Sequence, residues 1–172
     1  MNNEVSVSPV TNREFLVPAG DDINGMRNFF ANNEGKKVVA VQGLGFVGTV
    51  MSLVVANSDN NKYAVIGVDQ KDKNSYWKIG DINSGTCPVV SSDPLVSQFF
   101  DNTLKAQNFY ATYDCNAFKY ADVIIVDINL DVTKVKDKDG SIISYDVPLE
   151  GFKAAMKSIG EVCKPDVLVL VE

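Results

Sequence analysis

The stretch Lys37-Val-Val-Ala-Val-Gln-Gly-Leu-Gly-Phe-Val-Gly48 constrains this chain most, because it runs an apolar strand directly into Gly-x-Gly-x-x-Gly. A second apolar run, Tyr63-Ala-Val-Ile-Gly-Val-Asp69, ends on an acid 21 residues after Gly48. Each of these residues has a physical task if a diphosphate lies between them. Gly43 permits the tight turn, Gly45 lets the backbone approach a pyrophosphate, and Gly48 lets the following helix pack closely on the strand. The start of that helix offers N–H groups with no intrahelical partner, which favour anions. An acid at the tip of the second strand accepts hydrogen bonds from the adenosine ribose hydroxyls, which favours NAD over NADP. The competing reading makes the glycines a plain strand-to-helix turn and Asp69 a solvated loop acid. Against it, Val47, Val50, Met51, Val54 and Val55 fall at i, i+3, i+4, i+7 and i+8, the apolar stripe of an amphipathic helix. Residues 37–69 therefore read as a complete βαβ unit, the context that the glycine pattern requires.

Downstream, the pattern continues to alternate strand and helix. A loop rich in Lys, Asp, Asn and Gly leads to a helix from Pro94 to Asn108 and a short strand, Phe109-Tyr-Ala-Thr112. Asp114 is placed to cap a brief helix before Tyr120. Ala121-Asp-Val-Ile-Ile-Val-Asp127 is nearly all apolar, as parallel strands covered on both faces are. Residues 131–147 hold a solvated, charged turn, Lys134-Val-Lys-Asp-Lys-Asp-Gly140. A calcium loop is excluded there, because Val135 stands where the first acid should be and no glutamate fills the twelfth position. Leu149, Phe152, Ala155, Met156 and Ile159 share one helical face. Val167-Leu-Val-Leu-Val171 reads as a buried interior strand parallel to Val38–Val41, with its carboxyl end, and Glu172, opening on the glycine crevice. Residues 1–36 read as an irregular extension with one short helix, capped by Asp21 or Asp22, that buries Ile23, Met26, Phe29 and Phe30. The whole predicts an α/β fold of Rossmann type, a doubly wound, mostly parallel sheet of five or six strands with helices on both faces.

Composition narrows the chemistry. A chain of 172 residues with 45% hydrophobic content is long enough for one domain that buries ~70% of its unfolded surface. Net charge is −6 and the pI is about 4.7, so no basic stripe stands ready for nucleic acid. No apolar run reaches the ~20 residues of a membrane span, and the first residues lack a charged-then-apolar signal, so the expected location is cytoplasmic with no membrane partner. The chain has no histidine, which removes histidine-based acid–base, nucleophile and metal chemistry from these residues. Cys87, Cys115 and Cys163 lie 28 and 48 residues apart, which matches no zinc pattern and fits reduced thiols. The work left to these residues is binding and positioning.

Four stretches resemble the N-terminal NAD-binding domain of the nucleotide-sugar 6-dehydrogenases, the UDP-glucose/GDP-mannose/UDP-N-acetylmannosamine dehydrogenase family. They are the glycine segment through Gly48, Ile82-Asn-Ser-Gly85 with Pro88, Ala121-Asp-Val-Ile-Ile-Val126, and Lys164-Pro-Asp-Val-Leu-Val-Leu-Val-Glu172. The second and fourth are more selective than the glycine fingerprint, which many dehydrogenases share. The resemblance implies an oxidoreductase with NAD as cofactor and a homo-oligomeric parent. It also implies that catalytic residues and the nucleotide-sugar site lie beyond residue 172, with none of the catalytic groups in this segment. It makes Gly43, Gly45 and Gly48 the cofactor-binding glycines and places Phe46 and Val47 against the pyrophosphate, Asp69 on the adenosine ribose and Lys78 near the adenosine. Glu172 would edge the nicotinamide pocket. Where the family has a cofactor-holding threonine this chain has Leu130, with Asn129 or Asp131 as polar substitutes. Two other readings stand beside this one. The chain could be a stand-alone NAD- or nucleotide-sensing module, or another hydride-transfer enzyme on the same fold, such as a hydroxyacyl-CoA dehydrogenase; Ile82-Asn-Ser-Gly85 weighs against the latter.

Overall fold

The structure, a computed structural model, describes residues 4–58, 62–130 and 132–172. It opens with two short strands, β1 (Val5–Val7) and β2 (Glu14–Leu16), and a helix, α1 (Ile23–Asn32). The first parallel unit follows: β3 (Lys37–Gln42), α2 (Phe46–Asn57) and β4 (Tyr63–Val68). Then come α3 (Tyr76–Asn83), α4 (Pro94–Ala106), β5 (Phe109–Thr112), the 3-10 helix Cys115–Lys119 and β6 (Val123–Val126). The chain continues through β7 (Thr133–Lys136), β8 (Ile142–Asp146), α5 (Glu150–Val162) and β9 (Leu168–Val171).

Five strands make one sheet in the order β5-β4-β3-β6-β9, and every pairing is parallel. From β3 the chain winds outward through β4 to β5, then returns to β3's other side for β6 and β9. This is the doubly wound Rossmann arrangement, and the direction reverses between β3 and β6, where such sheets open a crevice at their carboxyl ends. Alternate residues feed opposite faces. Ala40, Ala64, Ile66, Ile124 and Val126 pack with Met26 and Phe29 of α1, Phe118, and Ile159 of α5. Val39, Val41, Val65 and Ile125 pack with Ala56 of α2 on the other face. There Leu53 of α2 continues into a cluster with Ile79, Ile82, Val96 and Phe100 from α3 and α4. Near-continuous apolar strands are what a sheet covered on both faces demands.

Several expectations change. The described part of the N-terminal extension, residues 4–36, is not irregular apart from its helix: β1 and β2 form an antiparallel hairpin, with Ser6 opposite Phe15. In α1, Met26 and Phe29 are buried and Phe30 rests on Tyr120 with ring centroids 4.3 Å apart, but Ile23 is 56% exposed. Asp22 stands at the N-cap without capping α1. Its carboxylate accepts hydrogen bonds from the Tyr110 hydroxyl at 2.8 Å and the Thr112 hydroxyl at 2.7 Å, tying the helix start to β5. Asp114 caps its short helix as expected, accepting from the Asn116 N–H at 2.9 Å. The loop after Asp69 contains α3. The charged turn at 137–140 is flanked by β7 and β8, an exposed hairpin closed by Asp137, whose carboxylate accepts from the N–H groups of Asp139 and Ser141 at 3.0 and 2.8 Å. Finally, β9 is parallel to β6 but forms the edge of the sheet, and Val171 is 55% exposed. Among the described residues only β6 flanks it, and an apolar run does not record how many strands will stand beside it.

Candidate functional site

Between β3 and α2 the chain turns at Gly43, whose φ is +99°; a Cβ there would collide with the Asp127 carbonyl at the end of β6. The turn is held from both neighbouring strands. The Gly43 N–H donates to the Val68 carbonyl at 2.8 Å, and the Asp127 N–H donates to the Gln42 carbonyl at 2.9 Å. Leu44 is fully buried and fills the space that a side chain on Gly67 would need. Its N–H is left pointing at β4, where it donates to the Asp69 carboxylate at 2.9 Å. Gly45 is the N-cap of α2 and brings no capping side chain, and the first turn contains no acid. The positive end of that helix therefore meets the cleft uncovered.

Asp69 sits just past the tip of β4, only 9% exposed. One oxygen receives both the Leu44 N–H and the Lys78 ammonium at 2.6 Å, while the other receives the Gln70 N–H at 2.7 Å. Lys78 reaches it from α3. The cleft around these groups has a volume of about 540 Å³. Gly43, Gly45, Phe46, Val47, Asp69, Lys78 and Asn129 all line it, so seven of the nine residues singled out in the sequence share one cavity. Phe46 and Val47 are exposed there.

The other two stand apart from the lining. Gly48 lies behind the turn, where a Cβ would press on the Gly43 carbonyl and the Asp127 carboxylate; its smallness serves the turn as much as helix packing. Glu172 is exposed, and its backbone N–H donates to the Val126 carbonyl at 3.0 Å. Leu130 is half-buried, and Asp131 lies outside the described residues. Sequence reasoning missed Gln42, Gln70, Ser75, Asp127 and Ile128, and missed Gly151 and Ala155, by which α5 closes the cavity. Asp127 was within reach of that reasoning, since it ends an apolar strand just as Asp69 does. The α5 residues carried no such mark.

Burial pushes Cys87 and Cys115 up from the ordinary thiol range, with Asp114 adding to the shift at Cys115, and all three cysteines are free. None of the three lines the cleft.

Residues 37–172 match the UDP-glucose/GDP-mannose dehydrogenase family, NAD binding domain. The chain belongs to that family. NAD is accordingly the cofactor of this domain. Solved structures of similar fold include an NDP-N-acetyl-D-galactosaminuronic acid dehydrogenase from Methanosarcina mazei Go1, 21% identical with a TM-score of 0.67 over 87% of this chain. A GDP-mannose dehydrogenase from Pseudomonas aeruginosa is 24% identical with a TM-score of 0.58 over 77% of the chain. A UDP-D-ManNAc dehydrogenase from Pyrococcus horikoshii is 24% identical with a TM-score of 0.59 over 78%. This chain spans only 30%, 27% and 28% of those three proteins, respectively. No curated protein matches the sequence. Among the described residues no helix is long and apolar enough to cross a membrane.

Proposed function

We propose that the cleft between β3 and β6 holds NAD with its adenosine toward Asp69 and Lys78 and its diphosphate over the uncapped start of α2. One observation carries this reading: Gly45 opens on free space at the helix N-terminus, while Asp69 closes the same cavity from the tip of β4. A diphosphate needs that space and those N–H groups. Asn129, at the β6 side, and Glu172, one strand further, would then stand toward the nicotinamide. When bound, NAD supplies a hydride acceptor; the chain's own residues bind and orient it.

The full-length protein, in the same proposal, is a nucleotide-sugar 6-dehydrogenase that oxidises the sugar C6 alcohol to a carboxylate for polysaccharide precursor synthesis. UDP-glucose and UDP-N-acetylmannosamine are the substrates to try first. Residues 1–36 serve as an extension of the NAD-binding unit 37–172, and the sugar-binding part lies outside it. We place the protein in the cytoplasm as a homo-oligomer, without nucleic acid or membrane as partners.

Titration calorimetry on the wild-type chain and on Asp69→Ala tests the cofactor assignment. The wild type binds NAD more tightly than NADP, because the Asp69 carboxylate accepts ribose hydroxyl bonds and repels a 2′-phosphate, and the variant loses that preference. Equal affinity for both dinucleotides, or an unaltered variant, would remove Asp69 from the site.

A further inference from the structure

Residues 4–17 precede the stretch that matches the family, yet they hold deeply buried polar groups, all directed at one target. Ser6, Ser8 and Asp81 have no exposed surface. The Ser8 hydroxyl donates to one Asp81 oxygen and the Thr11 hydroxyl donates to the other at 3.0 Å. Ser8 also accepts from the N–H groups of Val10 and Thr11, at 3.2 and 3.1 Å, which closes the hairpin turn. Ser6 accepts from the Trp77 N–H at 2.9 Å and donates to the Lys73 carbonyl at 2.8 Å. The Phe15 ring occupies the place that a side chain on Gly80 would need. Lys73, Trp77, Gly80 and Asp81 all belong to α3 or to the loop that leads into it.

That helix is eight residues long and has no capping side chain, so it cannot hold its position by itself. Asn83 pins its last turn to β5 through two hydrogen bonds with Ala111, at 2.7 and 3.0 Å. The first two turns, which carry Lys78, pack Ile79 into the core on one side and lean on the hairpin on the other. A buried carboxylate is stable only while its donors are present, so Asp81 keeps its place only while Ser8 and Thr11 keep theirs. One turn before Asp81, the Lys78 ammonium reaches Asp69, and Asp69 holds the Leu44 N–H of the glycine turn.

We propose that hairpin β1–β2 is a positioning element of the cofactor cleft, in which the Ser8–Asp81–Thr11 bonds fix α3 so that Lys78 stays on Asp69 and Asp69 on the glycine turn. Asp81 and Ser8 are positioning residues, remote from the ligand. The inference rests on the NAD reading for its consequence, and on the network itself for its cause.

The test is a cycle of Asp81→Asn, Lys78→Ala and the double variant, with Ser8→Ala as a milder probe that leaves α3 untouched should Asp81→Asn fail to fold. NAD and ADP-ribose are titrated calorimetrically. Asp81→Asn and Ser8→Ala each weaken both ligands by roughly tenfold, the scale of coupling within one hydrogen-bond network. In the Lys78→Ala background the same changes weaken them by less than about threefold, because the route to Asp69 is already cut. Hydrogen exchange gives a readout without ligand: the Leu44 amide and residues 73–83 exchange faster in Asp81→Asn, while Val41 and Ile66 keep wild-type rates. Full additivity in the cycle, or uniform acceleration across the sheet, overturns the proposal and leaves the hairpin a general stabiliser. A wild-type chain that binds no NAD overturns the cofactor reading instead, and the Leu44 amide alone then decides whether the hairpin positions the cleft.

Discussion

Gly43 and Gly45 lie two residues apart in the same turn, but a methyl group means something different at each. At Gly43 the positive φ and the Asp127 carbonyl both oppose a Cβ. Gly43→Ala therefore costs about 2–4 kcal/mol in urea unfolding, from backbone strain and overpacking together. At Gly45 a Cβ meets nothing within 4 Å. Gly45→Ala should change stability by less than about 1 kcal/mol, yet it places the methyl in the space a diphosphate needs, so NAD titration should show binding weakened by about tenfold or more. A variant that kept wild-type affinity would move the diphosphate away from this turn. Asp69 shows a different division of labour: one of its oxygens joins the glycine turn to α3, so the acid we propose for the ribose is also a structural tie between β4, α2 and α3.

Among elements, the joint between α5 and β9 has a readable pH dependence. Lys164 donates to Asp122 at 2.8 Å, and the Val38 N–H donates to the same carboxylate at 2.9 Å, linking this joint to β3 and β6. The Lys164 hydrogen bond holds the Asp122 carboxyl below the usual carboxylate range, aided by the Val38 N–H, against a smaller opposing effect of burial. A carboxyl whose pKa falls on folding stabilises the fold above its unfolded value, about 3.9, and loses that contribution as the pH drops through the folded value. The urea midpoint of the wild type should accordingly fall between roughly pH 5 and pH 3 more steeply than that of Lys164→Ala. Parallel curves would show that the pair adds nothing on this exposed surface.

As a whole, the chain is a cofactor-holding unit. It contains no histidine, and none of its three cysteines lines the cleft. Given NAD and UDP-glucose or UDP-N-acetylmannosamine, the 172-residue chain should show no cofactor reduction by absorbance, since neither a histidine nor a cysteine stands in the cleft and the proposal puts the sugar-binding part outside residues 37–172. Turnover that survives purification would sink this assignment. The parallel sheet, the glycine turn and the Asp69 wall were legible in the sequence because each is local. Strand periodicity, a fixed glycine spacing and an acid at a strand tip are written in consecutive residues. What lay beyond local pattern was everything that depends on a neighbour. Val167–Val171 reads as an interior strand, and only sheet order makes it an edge. Ser8 and Thr11 read as polar loop until Asp81, some seventy positions away, receives them, and Ser6 until Lys73 and Trp77 meet it. Gly151 and Ala155 reach the cleft because α5 folds back over β6, and the docking of Lys78 on Asp69 needed α3, a helix held by tertiary contact and not by its own propensity. The sequence alone determined the Rossmann sheet and its cofactor turn; tertiary packing decided which side chains wall that cleft, because long-range contacts leave no periodic trace in the chain that makes them.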